Sequence, residues 1–157
     1  MPRLYQVNGM NRLVNRLMAR LIRWDIAPAG TYLLTVKGRK TGNKYSAPVI
    51  LIERDGRCWL VSPYGEVNWV KNARAAGEVT ISRGKVSKTL KIQECSPQES
   101  APILKEYLSK ESIVRPYFDV QPDDPLESFE TEASQHPVFL LEKKQVVVQS
   151  AYRTRGF

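Results

Sequence analysis

The sequence predicts an α+β or small-barrel fold, mostly antiparallel, and three observations lead there. Several short runs rich in β-branched and aromatic residues end at turn residues. Helical spacing appears at the start of the chain and between hairpins. The regular strand–helix–strand alternation of a parallel sheet is missing, which argues against a Rossmann domain. With 157 residues the chain has the length of one domain, able to bury roughly 68–70% of its unfolded surface.

The elements follow in order. From Asn8 to Trp24, Leu13, Val14, Leu17, Met18, Leu21 and Ile22 recur at helical spacing, and Pro28 and Gly30 end the pattern. Arg12, Arg16 and Arg20 form an i, i+4 row on the other side, extended by Arg23, so this helix is amphipathic and cationic. "TYLLTV" (31–36), "SAPVILIER" (46–54) and "RCWLVS" (57–62) read as a meander with a turn at Asp55-Gly56. "GEVNWVKNARAAG" (65–77) reads as a short helix with Trp69 and Ala73 inward and Gly77 just past its end. "EVTISR" (78–83) and "KVSKTLKIQE" (85–94) form a second hairpin around Gly84, with one face in water. Ser96, Pro97 and Glu99 are a capping box that opens a helix through about Ser109, with an inward stripe of Ile103, Leu104, Tyr107 and Leu108. The proline- and acid-rich stretch 115–137 predicts a loop with one turn of helix over Leu126 to Ala133. "PVFLLEKKQVVVQS" (137–150) predicts a last strand, with a hairpin over Glu142 to Lys144.

Lys and Arg outnumber Asp and Glu by 24 to 16, for a formal charge of +8 and a pI near 9.6. The partner class is therefore anionic: a polyanion, a phosphorylated ligand or an anionic membrane. Cys58 and Cys95 form no C-x-x-C pair, which argues against a disulfide framework or a zinc site, and no metal ligand set is assigned. Arginines break up the N-terminal apolar residues, so these make neither a signal-peptide core nor a membrane span, and a cytoplasmic setting is expected.

The charge is dense in "TVKGRKTGNKYSAPV" (35–49), where Lys37, Arg39, Lys40 and Lys44 surround Gly38 and Gly42. The glycines let the backbone turn and present N–H groups, while Arg39 offers a planar fork and Lys40 a point charge to phosphate or carboxylate. A solvated hairpin tip would also favour Gly, Asn and Lys. "SPYGEVNW" (62–69) runs from a strand end into a helix start, whose orphan N–H groups attract negative charge. Glu66 puts an opposing carboxylate in the same stretch.

Residues 33–81 resemble the deazaflavin (F420)-dependent nitroreductase family. The shared order is a strand, "GRKTG", a strand with an early Pro48, a D-G hairpin, a strand end with Ser62, and "WVKNARA" before the next strand. The resemblance extends more weakly from Asp25 to "HPVFLL" (136–141). It implies a split β-barrel over 25–157 with peripheral helices, preceded by the helix of 1–24. It also implies hydride transfer from the reduced deazaflavin coenzyme to a quinone, nitro compound or activated enone, and favours coenzyme F420 over FMN. On this likeness Arg39, Lys40, Thr41 and Gly42 would hold the phosphate and acidic tail. Ser62 and Tyr64 would lie beside the ring, Trp69 and Asn72 would hold the helix against it, and Tyr64 and Tyr117 would line the acceptor pocket. Tyr45 and Pro63 depart from the family, standing where relatives often carry basic residues.

His136, the only histidine, offers little basis for a Ser-His-Asp or Cys-His scheme, and the acids at 119–132 lack a calcium-loop pattern. A nucleic-acid partner is disfavoured because no aromatic–basic RNP pattern or helix-turn-helix occurs. The rival reading is a lipid-binding or membrane-surface protein of the same fold, with the helix at 8–24 lying on the inner face of the membrane. A homodimer stays open.

Overall fold

The computed structural model describes residues 9–143. Six strands close into an antiparallel barrel in the order β1-β2-β3-β6-β5-β4. They are β1 Thr31–Lys37, β2 Lys44–Arg54, β3 Arg57–Val61, β4 Glu78–Arg83, β5 Val86–Glu94 and β6 Val138–Lys143. Local chemistry sets the hairpins. Asp55 and Gly56 both have positive φ, 53° and 75°, as the tight β2–β3 turn requires. The first hairpin pairs Lys37 with Lys44, so these two lysines belong to the strands and the loop proper is 38–43. Closure comes from distant segments. Leu33, Leu34 and Thr35 of β1 pair with Ser82, Ile81 and Thr80 of β4, while β6 enters between β3 and β5. Glu142 and Lys143, read as the start of a hairpin, still belong to β6 and pair with Lys91 and Leu90, and the rest of the expected hairpin and run, 144–150, lies outside the described residues.

Inward residues Leu34, Val36, Val49, Leu51, Leu60, Val79, Ile81, Phe139 and Leu141 fill the barrel, joined by Val70 and Ala73 of helix α2 (Asn68–Ala76). The outer face of β2, β3 and β6 is covered by α3 (Pro97–Lys110) and α4 (Leu126–Glu132), which bring Leu104, Leu108 and Phe129 against Ile52, Val61 and Val138. The capping box of α3 is complete: Ser96 accepts from the Glu99 N–H, and Glu99 accepts from the Ser96 N–H. Helix α1 (Gly9–Arg23) lies against β1, β2 and β4, where Ile22 meets Leu33 and Ala27. Leu33 is thereby buried on the face of β1 opposite Leu34, which explains why β1 is apolar on both faces.

Two expectations are corrected, and a third, the inward side of α2, is refined. Helix α2 begins at Asn68 instead of residue 65, because 62–67 is used in turns: Ser62 donates to the Gly65 carbonyl at 2.5 Å and Gly65 sits at φ 86°. Val70 and Ala73 are the fully buried residues of α2, and Trp69 is only half-buried, its ring 6.2 Å from that of Phe139. A 3-10 helix over Ser112–Tyr117 occupies part of the stretch read as loop and presents Tyr117. Among the described residues, no helix is long and apolar enough to cross a membrane.

Candidate functional site

The 38–43 loop folds on itself. The Gly38 N–H donates to the Asn43 carbonyl at 2.7 Å, and the Gly42 N–H donates to the Gly38 carbonyl at 3.0 Å. Both glycines are needed. A Cβ on Gly38 would come within 2.7 Å of the Tyr45 ring, and Gly42 is left-handed at φ 75°. Thr41 accepts from the Asn43 N–H at 3.2 Å, and its hydroxyl lies 3.3 Å from that of Tyr45.

The loop is tied to α2 through one buried amide. Asn72 is 5% exposed, and its Oδ1 accepts from the Arg39 backbone N–H at 3.1 Å and from Arg39 Nη1 at 2.7 Å. The guanidinium is thus oriented at the surface by an uncharged partner, and among the described residues no carboxylate lies at ion-pair distance from it. Beside it lies a pocket of about 320 Å³ lined by Gly38, Arg39, Lys40, Thr41, Tyr45, Asn68, Trp69 and Asn72. Gly38 and Arg39 also border a broader groove of about 700 Å³, where Lys37 and Lys44 stand near Thr80 and Thr89. Glu66 pairs with Arg74 at 2.9 Å, and Arg74 also holds Glu94 at 2.7 Å. These two carboxylates raise the Arg74 pKa well above its usual range.

The sequence-derived site residues therefore fall into two groups. Arg39, Lys40, Thr41, Trp69 and Asn72 share the pocket, while Gly42 shapes the loop without lining it. Ser62 is fully buried, with its N–H on the Pro137 carbonyl and its hydroxyl on Gly65, so it does not line this pocket. Tyr64 and Tyr117 form a separate edge-to-face pair, 4.9 Å between centroids and 80° between planes. Both are half-buried against the cluster that contains Tyr107. Burial, with Glu111 and Tyr64 adding to it, pushes the Tyr107 phenol far up.

Sequence reasoning missed Asn68 and the role of Tyr45. Asn68 stands four residues before Asn72, hence on the same face of α2, a spacing that could have flagged it. His136 and Glu132 were also missed as a pair. They are 3% and 4% exposed, with His136 Nε2 3.0 Å from Glu132 Oε1, and the Phe118 ring is stacked 3.8 Å from the imidazole. Among the described residues no cluster of His, Cys, Asp and Glu is arranged to hold a metal.

A pocket with two cations, a hydroxyl and an indole suits an acidic, phosphate-bearing tail next to a flat apolar body. Solved structures similar to this chain share its fold. One is a domain-swapped dimer, 19% identical over 85% of this chain and 93% of that one, with a TM-score of 0.52. Another is a protein of unknown function from Agrobacterium tumefaciens, 12% identical over 92% of this chain and 60% of that one, at 0.54. A third is a putative pyridoxamine 5'-phosphate oxidase from Listeria innocua, 12% identical over 74% and 85%, at 0.50. These likenesses identify the fold as a split barrel. No curated protein matches the sequence significantly. The sequence model of the F420H(2)-dependent quinone reductases matches residues 11–121, which include the whole cationic loop, Asn72 and Tyr117, and this chain belongs to that family.

Proposed function

We propose that this protein is an oxidoreductase that transfers a hydride from the reduced deazaflavin coenzyme to an electron-poor acceptor, a quinone before a nitro compound or enone. The observation that carries the reading is the Arg39 guanidinium fixed by buried Asn72 at the mouth of a pocket shared with Lys40, Thr41 and Trp69. Bound there, the coenzyme would supply the hydride chemistry. Arg39 and Lys40 hold its phosphate and carboxylates, the Thr41 hydroxyl adds a polar contact, and the indole of Trp69 gives an apolar wall. Tyr64 and Tyr117 line the acceptor side in this reading. A phenol hydroxyl there donates a hydrogen bond to a developing oxyanion.

A second reading, lipid binding without catalysis, is favoured by Tyr45 and Pro63, where relatives often carry bases. Tyr45 is 49% exposed at the pocket rim and adds no charge. Titration of reduced and oxidised deazaflavin coenzyme by fluorescence quenching separates the two. Wild type is expected to bind, and Arg39→Ala with Lys40→Ala to weaken binding by at least about 100-fold, since each charged hydrogen bond contributes roughly 1.5–3 kcal/mol. Unchanged affinity in the double variant, or no binding by wild type, removes the reductase reading.

A further inference from the structure

Helix α1 carries an apolar face wider than the barrel covers. With about 100° between successive residues, Met18, Ala19 and Ile22 fall in one sector. These, with half-buried Leu21 at the border of the sector, are the residues packed with Ala27 and Leu33. Leu13, Val14 and Leu17 fall in the adjoining sector and are 63%, 52% and 59% exposed. The turn after the helix adds Trp24 and Ile26, 69% and 62% exposed. Isolated exposed apolar residues are common on soluble proteins; five large ones within fourteen residues of one helix and its following turn are not.

The far edge of that exposed sector is cationic. Arg12, Arg16 and Arg20 follow each other at i, i+4, Arg23 continues the row, and α1 contains no acidic residue. Among the described residues, Arg16, Arg20 and Arg23 have no carboxylate at ion-pair distance. Together with Ser46 and Pro48 of β2 they border a groove of about 320 Å³. Ser46 is the neighbour in β2 of Tyr45, which lines the candidate coenzyme pocket.

Charge complementarity selects the occupant of this face. A two-fold contact between copies would set the same arginine row beside itself, with no acid in α1 to neutralise it. An anionic lipid surface satisfies both halves, because its phosphates meet the guanidinium groups and its acyl region takes the leucines and the indole. We propose that α1 and the Trp24–Ile26 turn dock this protein on an anionic phospholipid bilayer, with Leu13, Val14, Leu17 and Trp24 in the interface and Arg16, Arg20 and Arg23 on lipid phosphates.

The test is co-sedimentation of the full chain with phosphatidylcholine vesicles, with and without about 30% phosphatidylglycerol. It needs no coenzyme, so its outcome is independent of the reductase reading. Wild type is expected to pellet with the anionic vesicles, and to be released by high salt. Arg16→Gln, Arg20→Gln and Arg23→Gln together should lower the partition coefficient roughly 100-fold, from a factor of about five per arginine at an anionic surface. Leu13→Glu with Leu17→Glu should abolish pelleting and leave the thermal unfolding midpoint unchanged, because both side chains are solvent-exposed in the fold. Wild type that stays in the supernatant, or a leucine variant that pellets like wild type, overturns the proposal. So does a wild-type dimer that the leucine variant converts to monomer.

Discussion

Replacing Asn72 with alanine tests the link between loop and helix most directly. The change removes the acceptor for two hydrogen bonds at once, 3.1 Å from the Arg39 N–H and 2.7 Å from Arg39 Nη1. The backbone bond contributes about 1 kcal/mol. The guanidinium bond would contribute about 1.5–3 kcal/mol in a buried setting. Arg39 is exposed, so water replaces much of it, and about 1 kcal/mol is a better figure. Asn72→Ala should therefore cost about 2 kcal/mol and lower Tm by roughly 4–8 °C in a domain of this size. Arg39→Ala removes only the guanidinium bond. A double-mutant cycle should accordingly show a coupling of about 1 kcal/mol, with about 1 kcal/mol of the Asn72 effect surviving in the Arg39→Ala background. Urea unfolding of the four proteins, followed by circular dichroism, gives all the terms. An Asn72→Ala variant as stable as wild type, or a coupling of zero, would refute the claim that the buried amide fixes the arginine.

Two further outcomes follow from buried titratable groups. Burial outweighs the attraction of Glu132 and holds the His136 pKa below its ordinary 6.5. The unfolded chain then takes up this proton first, so the stability from neutral His136 is complete above about pH 6.5 and is lost as pH falls below it. Thermal melts across that range should show Tm dropping on acidification, with a flatter profile in His136→Asn; a Tm that rises on acidification would count against the buried neutral imidazole. Cys58 and Cys95 are both pushed up to about 11 from 9.0, chiefly by burial, with Glu53 beside the first and Glu99 beside the second. Their thiolate fraction at neutral pH is roughly 100-fold below that of a free thiol, so iodoacetamide should label them slowly until urea unfolds the chain. Fast labelling of the native protein would contradict this.

The local features were open to reading from the chain itself, because their causes lie within a few residues. Ser96 and Glu99 cap α3, Gly77 ends α2 in the left-handed region at φ 74°, and Asp55-Gly56 turns β2 into β3. Gly38 and Gly42 close the cationic loop in the same local way. The start of α2 was misjudged because the Ser62 hydroxyl and Gly65 divert 62–67 into turns, a competition that helix propensity does not register. Partnerships across the chain were decided by tertiary structure alone. Arg39 and Asn72 are 33 residues apart in sequence and meet only because α2 packs against the barrel beside the first hairpin. Arg74 pairs with Glu66 on one side and with Glu94, brought up by β5, on the other. Periodicity gave α1 one broad apolar stripe, and it took the curvature of the barrel to divide that stripe into a covered half around Ile22 and an uncovered half around Leu17. Sequence spacing determines which side chains share a face; what that face touches depends on the closure of distant strands.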